Sequence, residues 1–597
     1  AVAVNFEHDE AKRSHAELSL EVERDAMTRD AEQQMQREDW GDQPTRRFFQ
    51  QAKTNHASTT IRKLYRYEPS GTPGEVGRID TSTVDTDPSR IATSLSAYWQ
   101  DIFRNTTGTH TPYARIADDY PDDMCVPLEA QHGLGADITP AEVATAFRGL
   151  STRRSTAGVV AEVFKAASDG LAPLLAAQLN YANTCGCLSK GQRYGRITLL
   201  FKKGDPLSPD MYRPVAVLRA DYKACALVLT ARINPHLARV TSPTQTGFVK
   251  GRFIHENCLR LRDAMAYAAT DQAARLNPTA APTLTAAEAA VSAGTRASGA
   301  DVAVLSTDLR KAYDSCQLEV LFTVATRVGG PGYGRWLRTL YTGLERSILV
   351  GAGSEGTTVL SPRFRLCSGV PQGCCHACVA FILYMEGLAH RLRADPEIRG
   401  LRMPDGSTML DIRYADDCAY TVQAPSLHRL LAAIEVWAHE TGMSLHEVKT
   451  TAGYWGRRRA DPVVWHPRHY GAGDDVGGAG AVGATPTPGQ RLSWLPVGGA
   501  LDILGMPIGY GVTDDDVWGA VARKMHVKLM MWGRVRLSFA GRVTVIRSMA
   551  YSQIWYLGTV YDMSAQKAAQ LRAIARHFFW RGTMPKGVTP GAPAAQY

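Results

Sequence analysis

The sequence predicts an α+β fold, in which an antiparallel sheet is combined with helices, and three observations support this prediction. Residues 301–308, with apolar residues at 302–305, are typical of a buried strand that ends in a carboxylate, Asp308. Residues 410–420 alternate on both sides of a pair of aspartates, which indicates two short strands joined by a tight turn. Apolar residues at helical spacing follow residue 139 and recur after residue 511.

The length and composition set the first limits on the class of protein. The chain has 597 residues, which suggests about three or four packing units. The formal net charge of +9 is compatible with a polyanionic partner, although many soluble proteins reach this value. No run of about 18 apolar residues occurs, so no membrane-spanning helix is expected. The 11 cysteines are scattered, as in reduced intracellular proteins.

Changes in composition along the chain predict its divisions. Residues 276–300 are rich in Ala, Thr, Pro and Gly, and a second insertion at 460–498 is rich in Gly at its centre, so both are expected to be linkers. Thr139 and Glu142 form a capping box that opens a helix. The predicted divisions are a helical and linker extension at 1–135, a region at 136–300, a sheet region at 301–510, a helical region at 511–585 and a tail at 586–597.

The helical region at 511–585 combines basic and aromatic residues. Arg542 and Arg547 belong to its basic set, and tryptophan, tyrosine and phenylalanine residues lie between the basic ones. Helices with one apolar and one basic face suit the backbone of a nucleic-acid duplex. An ordinary soluble helical domain is the alternative interpretation.

The three aspartates at the strand ends point to a metal-dependent reaction. Asp416 and Asp417 are adjacent at the predicted turn and repel each other unless a cation neutralises them. Asp308 stands at the end of a strand, where ligands commonly bind. Three converging carboxylates supply the hard oxygen ligands that Mg²⁺ prefers. Two such ions, about 3.5–4 Å apart, would support an in-line phosphoryl transfer to a primer hydroxyl.

The motifs around these aspartates resemble those of the reverse transcriptases. Residues 308–314, Asp-Leu-Arg-Lys-Ala-Tyr-Asp, are similar to the first catalytic motif, and residues 414–417, Tyr-Ala-Asp-Asp, are similar to the central one. Residues 201–205 and 212–215 resemble the fingers segment of the non-LTR, or LINE-type, subgroup. The resemblance implies a right-hand polymerase, with fingers at 136–300, a palm at 301–510 and a helical thumb at 511–585.

The resemblance also implies roles for individual residues. Lys202 and Arg213 would contact the incoming triphosphate, and Tyr313 would exclude a ribose 2′-hydroxyl. The predicted metal site comprises Asp308, Asp416, Asp417 and Leu309. The first two aspartates are expected to bridge both metals, and Asp417 either tunes the field or makes an intermittent contact.

Further roles follow from motifs on either side of the central hairpin. Lys449 is the candidate acid that protonates pyrophosphate, and Gln372 and Gly373, from Ser-Gly-Val-Pro-Gln-Gly, would lie closest to the template and nascent pair. The residues implied to contact nucleic acid are Arg252, Leu504, Gly505, Arg542 and Arg547. Gln-Thr-Gly-Phe at 245–248 continues the fingers segment without an assigned role.

The expected cofactors and partners come from the same resemblance. The cofactor would be two Mg²⁺ ions, with Mn²⁺ as an alternative, and the substrates would be an RNA template, a DNA primer or target and deoxynucleoside triphosphates. Endonuclease and Cys/His modules are expected elsewhere in a longer protein, of which this chain would be the polymerase core. The expected locations are the nucleus and a cytoplasmic ribonucleoprotein, and no membrane is implied.

One segment departs from the family pattern. Residues 374–378 read Cys-Cys-His-Ala-Cys where the family usually has Cys-Pro-Leu-Ser-Pro. Four potential ligands on about one helical turn point in different directions, which favours altered packing over a tetrahedral zinc site. The departure motivates an alternative function as a non-catalytic RNA-binding scaffold, and a group II intron maturase is a third possibility. Retention of all three aspartates argues for the enzyme.

Overall fold

The computed structural model describes residues 61–69, 77–104, 113–151, 158–277, 300–352, 358–446, 449–456, 493–495, 499–533, 535 and 537–580. Contacts divide the chain into a larger unit at Ser58–Val512 and a second unit that contains Thr513–Tyr597. The predicted tail and most of the two predicted linkers lie outside the described residues, as do the first 60 residues.

All strands of the described residues belong to the larger unit. They are β1 (Leu64–Glu68), β2 (Arg78–Asp85), β3 (Tyr194–Phe201), β4 (Tyr212–Val217), β5 (Asp301–Thr307), β6 (Glu345–Ala352), β7 (Thr358–Leu360), β8 (Phe364–Arg365), β9 (Leu401–Arg402), β10 (Thr408–Met409), β11 (Asp411–Tyr414), β12 (Asp417–Gln423), β13 (Thr451–Gly456), β14 (Ser493–Trp494), β15 (Leu501–Ile503) and β16 (Met506–Ile508).

Helices occur in both units. They are α1 (Pro88–Phe103), α2 (Tyr113–Ala117), α3 (Leu128–Gly135), α4 (Pro140–Gly149), α5 (Ala161–Ala166), α6 (Ser168–Cys185), α7 (Lys190–Arg193), α8 (Ala220–Ile233), α9 (Leu237–Val240), α10 (Ile254–Ala268), α11 (Asp271–Leu276), α12 (Ala312–Ser315), α13 (Leu318–Gly329), α14 (Pro331–Tyr341), α15 (Ala377–Ala394), α16 (Leu427–Glu440), α17 (Asp514–Gly533), α18 (Phe539–Val545), α19 (Ser552–Gly558) and α20 (Ala565–Trp580).

The central sheet has the order β11-β12-β5-β13-β14. Strand β5 pairs antiparallel with β12 on one side and with β13 on the other, and nearly all of its residues are buried. This position explains the apolar residues at 302–305, since neither face of the strand meets water there. Cys418 lies opposite Thr307, so the β11–β12 turn and the residue after β5 meet at one end of the sheet.

A second sheet has the order β4-β3-β6-β7, with β8 also paired to β6. Strands β3 and β4 are antiparallel, with Phe201 opposite Tyr212, and β3 is parallel to β6. Lys202 immediately follows β3, and its amide donates a hydrogen bond to the carbonyl of Met211 at 2.9 Å. The ends of these two strands therefore place Lys202 close to Arg213.

The predicted helices have physical support in the structure. The Thr139 and Glu142 capping box is present at α4, and the apolar face that includes Val143 and Phe147 is buried. In the second unit, α17 buries the predicted apolar positions Val517, Val521, Met525 and Leu529. Together with the sheets, these helices give an α+β fold. No helix within the described residues has the length and apolarity needed to cross a bilayer.

Candidate active site

The three predicted carboxylates lie at the same end of the central sheet. Asp308 follows β5 directly, and Asp417 pairs with Tyr414 to close the β11–β12 hairpin. Ala415 and Asp416 are the turn residues, and Ala415 has a left-handed backbone with φ of 59°. The turn of the hairpin therefore presents adjacent carboxylates next to the strand end that carries Asp308.

The electrostatics of this cluster reflect crowded negative charge. Burial raises the pKa of Asp416 to about 6, and the neighbouring charges of Asp417 and Asp308 add to this effect. Burial and the charge of Asp308 likewise raise the pKa of Asp417, although its side chain reaches solvent. A divalent cation would remove this repulsion, because each carboxylate would then face positive charge.

The carboxylates of the cluster do not surround a metal-binding position in this structure. Among the described residues, no three acidic, histidine or cysteine side chains form a group that could hold a metal ion. The ammonium of Lys449 instead donates to Oδ2 of Asp308 at 2.8 Å. The carboxylates fit Mg²⁺ in their chemistry, and Lys449 supplies positive charge to Asp308 in this arrangement. Leu309, the fourth predicted metal residue, is buried and its backbone pairs with Leu445.

Basic residues lie within electrostatic reach of the carboxylates. Burial lowers the pKa of Lys202, and the charges of Arg213 and Lys449 lower it further. Asp308 opposes these effects, while Arg213 lowers the pKa of Asp417. The structure thus brings together both predicted triphosphate contacts, the predicted acid and the three carboxylates. Such a group can hold an anionic phosphate chain against a metal-binding site.

Tyr313 is fixed by the helix that follows the altered segment. Its ring stacks on Phe381 of α15 with a centroid distance of 4.1 Å and an interplanar angle of 16°. Burial raises the pKa of its hydroxyl well above the ordinary value. Its backbone carbonyl accepts a hydrogen bond from Val370 at 2.8 Å. The ring therefore has a defined position, as a residue that selects a sugar requires.

Gln372 and Gly373 lie between the first catalytic motif and β4. Nε2 of Gln372 donates to both carboxylate oxygens of Asp314 at 3.2 Å, and its carbonyl accepts from the amide of Ala216 at 2.6 Å. Gly373 has φ of 117°, and a side chain there would collide with the carbonyl oxygen of Ala216. Asp314 had no predicted role. It is buried, and burial raises its pKa to about 7. Its position as the last residue of the first catalytic motif is the sequence feature that could have indicated a role.

The altered segment at 374–378 packs inside the larger unit. His376 is fully buried, with Nδ1 3.1 Å from the hydroxyl of Thr230 and Nε2 3.1 Å from the hydroxyl of Tyr333. Burial lowers the pKa of His376 to about 3. Both ring nitrogens are thus engaged by protein, which agrees with altered packing rather than metal coordination.

The residues predicted to contact nucleic acid are not all at this site. Arg252 donates hydrogen bonds to oxygen atoms within residues 238–245, and burial lowers its pKa, so it has a structural role. Leu504 and Gly505 form the left-handed turn between β15 and β16, and the nearby Asp502 contributes to the raised pKa of Asp417. Their predicted contacts with nucleic acid remain predictions.

Arg542 and Arg547 belong to the second unit. The guanidinium of Arg542 donates to the carbonyl of Phe579 at 2.6 Å and lies 5.3 Å from the ring centre of Phe539. Arg547 is exposed on the π-helical turn Ile546–Tyr551. Arg547 is therefore the more accessible of the two cations.

Comparisons with known proteins agree with the motifs. Residues 201–488 match the family described as reverse transcriptase (RNA-dependent DNA polymerase). A relative described as "Transposon TX1 uncharacterized 149 kDa protein" from Xenopus laevis is 24% identical over 505 residues, which cover 83% of this chain and 34% of the relative. The chain thus spans about a third of that relative's length.

A solved structure is similar at a lower level. The apo telomerase from Candida tropicalis, truncated from its C-terminal domain, has a TM-score of 0.31 and 12% identity over 46% of this chain and 52% of that chain. This similarity is too low to support a conclusion about the fold. The family match and the site define a polymerase class: residues 201–488 form a reverse transcriptase domain. Together with the transposon relative, this match supports a non-LTR retrotransposon reverse transcriptase.

Proposed function

We propose that this chain is an RNA-directed DNA polymerase that extends a primer 3′-hydroxyl on an RNA template by two-metal nucleotidyl transfer. The observation that carries the proposal is the cluster of Asp308, Asp416 and Asp417, whose repulsion calls for cations, within reach of the basic residues Lys202 and Arg213. Reverse transcriptases generally use divalent metal ions, and two Mg²⁺ ions, or Mn²⁺, would activate the primer hydroxyl and stabilise the leaving pyrophosphate.

The side chains divide the remaining work between binding and proton transfer. Asp308 and Asp416 would hold the cations, and Asp417 would tune the field around them. Lys202 and Arg213 bind the triphosphate, because each carries a positive charge at an exposed strand end. Lys449 gives a proton to the pyrophosphate, and its ammonium already lies 2.8 Å from Asp308. Tyr313 restricts the space beside the sugar and selects deoxynucleotides.

The wider organisation of the proposed polymerase follows the right-hand plan. Residues 136–300 serve as fingers, 301–510 as the palm and 511–585 as the thumb, whose basic residues contact the template and primer. Endonuclease and Cys/His modules belong elsewhere in a longer protein, which is supported by a relative about three times the length matched here. The protein then acts in the nucleus and in a cytoplasmic ribonucleoprotein.

Primer extension on an RNA template, with deoxynucleotides and Mg²⁺, tests the proposal. Wild-type protein should extend the primer, and Asp308→Asn should lower kcat by at least about 10²–10³-fold, since the main stabilisation of developing charge is lost. Asp405→Asn is the matched control, because Asp405 is an exposed aspartate between β9 and β10. It should retain full activity.

The other outcomes identify the alternatives. Extension by Asp308→Asn at a rate near that of the wild type would remove this aspartate from the active site. RNA binding by the wild type without extension on any template would indicate a scaffold. Stimulated splicing of a cognate intron RNA would indicate a maturase.

A further inference from the structure

Residues 244–247, which include most of the Gln-Thr-Gly-Phe motif, lie along the outer edge of β11 and its turn. Because β11 is the first strand of its sheet, no other strand of the described residues pairs with this edge, and Gln245 forms an isolated parallel bridge with Arg413 there. The amide of Arg413 donates to the carbonyl of Thr244 at 3.1 Å, and the amide of Thr246 donates to the carbonyl of Arg413 at 3.0 Å. These bonds fix the register of the motif against the strand that leads into the catalytic hairpin.

The side chain of Gln245 reaches the turn of this hairpin. It is fully buried, and its Oε1 accepts hydrogen bonds from the amides of Ala415 at 3.1 Å and Gly247 at 3.0 Å. Ala415 is an alanine with φ of 59°, a left-handed conformation that costs roughly 1–2 kcal/mol for a residue with a side chain. The bond from Gln245 therefore stabilises a backbone conformation that the local sequence disfavours.

The rest of the motif holds Gln245 in place. A β-carbon at Gly247 would lie 2.9 Å from the amide nitrogen of Ala415 and 3.1 Å from Oε1 of Gln245, so glycine suits this close approach. Nδ2 of the buried Asn257 donates to the carbonyl of Arg413 at 2.8 Å. Arg252 donates to the backbone carbonyl of Gln245 at 2.8 Å. Arg252 thus fixes the backbone of Gln245, and Asn257 fixes the end of the strand that leads to Ala415.

We propose that Gln245 is a positioning residue for the candidate active site, whose side-chain carbonyl sets the Ala415 turn and thereby the orientation of Asp416 and Asp417. The inference rests on the proposed polymerase function. Asp416 directly follows Ala415, so a rotation of the peptide at Ala415 moves both carboxylates relative to Asp308. Gln245 has no exposed surface and acts through the hairpin rather than on substrate.

Gln245→Met tests this role, because methionine has nearly the same length but lacks the acceptor. Gln192→Met is the matched control. Gln192 is also a buried glutamine of the larger unit, and its Oε1 accepts from the amide of Ser189 at 3.2 Å in a capping box before β3. Both substitutions remove one buried acceptor, but only the first removes the partner of Ala415. Gln245→Asn, whose amide is one carbon shorter, is the second variant if methionine disturbs folding.

Hydrogen exchange provides a readout that does not need activity. In Gln245→Met, the amide of Ala415 should exchange about tenfold faster than in the wild type, as expected for a lost hydrogen bond. Gln192→Met should leave this amide unchanged. Equal protection of Ala415 in the wild type and in both Gln245 variants would overturn the proposal.

Primer extension then separates positioning from general destabilisation. Gln245→Met should lower kcat by about 10²-fold, because small misplacements of reacting groups have effects of this size, and should leave the KM for deoxynucleotides nearly unchanged. Equal losses in Gln245→Met and Gln192→Met would mean a structural role only. If the wild type fails to extend primers, the proposed function fails, and hydrogen exchange still decides whether Gln245 sets the turn.

Discussion

The β11–β12 turn and the altered segment at 374–378 each contain a titratable side chain whose pKa is shifted by burial, but only the second has its polar atoms paired with the side chains of other residues. In the hairpin, burial and neighbouring carboxylates raise the pKa of Asp416 to about 6. In the altered segment, burial lowers the pKa of His376 to about 3, while Thr230 and Tyr333 engage both of its ring nitrogens. The hairpin carries adjacent carboxylates that repel each other, whereas the imidazole of His376 is neutral and both of its nitrogens have hydrogen-bond partners.

This difference distinguishes the hairpin, which is a candidate ligand-binding site, from residues 374–378, where only the packing has changed. Uncompensated charge lowers stability and persists where a ligand will compensate it, whereas satisfied neutral groups need no outside partner. The two regions should also respond to acid with opposite signs. Protonation of Asp416 favours the folded state, so its contribution is gained as the pH falls through about 6. His376 stays neutral when folded, so the unfolded state gains protons and stability falls below its ordinary pKa of 6.5.

Asp416→Asn should have the largest effect and should separate activity from stability. If the proposed mechanism holds, kcat for primer extension should fall at least about 10²–10³-fold, because the asparagine amide lacks the negative charge with which Asp416 would hold a cation. At pH 7.5 without metal, the free energy of unfolding should rise by about 1–3 kcal/mol, since a repelled buried charge is removed. Denaturant unfolding measures the second effect.

The pH dependence provides the control for this prediction. As the pH falls below about 6, the wild-type carboxyl takes up a proton, so the stability gain of the variant should disappear. A variant that is less stable than the wild type at pH 7.5 would contradict the idea that Asp416 opposes folding.

Local patterns predicted the elements of the site, whereas its long-range contacts had no local signal. The apolar run of β5 and the alternation around Ala415 follow from burial of strand faces, so the sequence indicated both. The contact between Gln245 and Ala415 joins residues 170 positions apart, and that between Lys449 and Asp308 joins residues 141 apart. Neither contact changes the periodicity of its own segment, and both depend on how the elements pack.

The altered segment shows the same limit. The close spacing of its Cys and His residues argued against a zinc site, but the partners of His376 come from α8 and α14, at sequence separations of 146 and 43 residues. Asp314 was visible as the last residue of a motif, yet its bond to Gln372 spans 58 residues. The residue types indicated which interactions were chemically possible, but the partners of each residue depend on tertiary packing.

His376→Asn should have an intermediate effect, confined to acid stability. For a histidine whose pKa falls from 6.5 to about 3, the folded state should lose about 2 kcal/mol between neutral pH and pH 5. The variant should lack this part of the loss, whatever its stability at pH 7. Unfolding at both pH values measures the difference, and His428→Asn, at an exposed position of α16, is the control. An unchanged difference in His376→Asn would show that His376 is not the acid-sensitive group.

The smallest effect is expected from treatments that would destroy a metal site at residues 374–378. Zinc would require at least four ligands around one point, yet both nitrogens of His376 have protein partners and the sulfur of Cys375 lies 3.9 Å from the carbonyl of Lys223. A zinc chelator should therefore leave the Tm unchanged, and Cys375→Ala should change the free energy of unfolding by no more than about 1 kcal/mol. Stoichiometric zinc in the purified protein, with a large fall in Tm on chelation, would reverse the contrast between the two regions. In that case the altered segment, like the hairpin, would depend on a cation, and the engagement of His376 by Thr230 and Tyr333 would describe only the metal-free state.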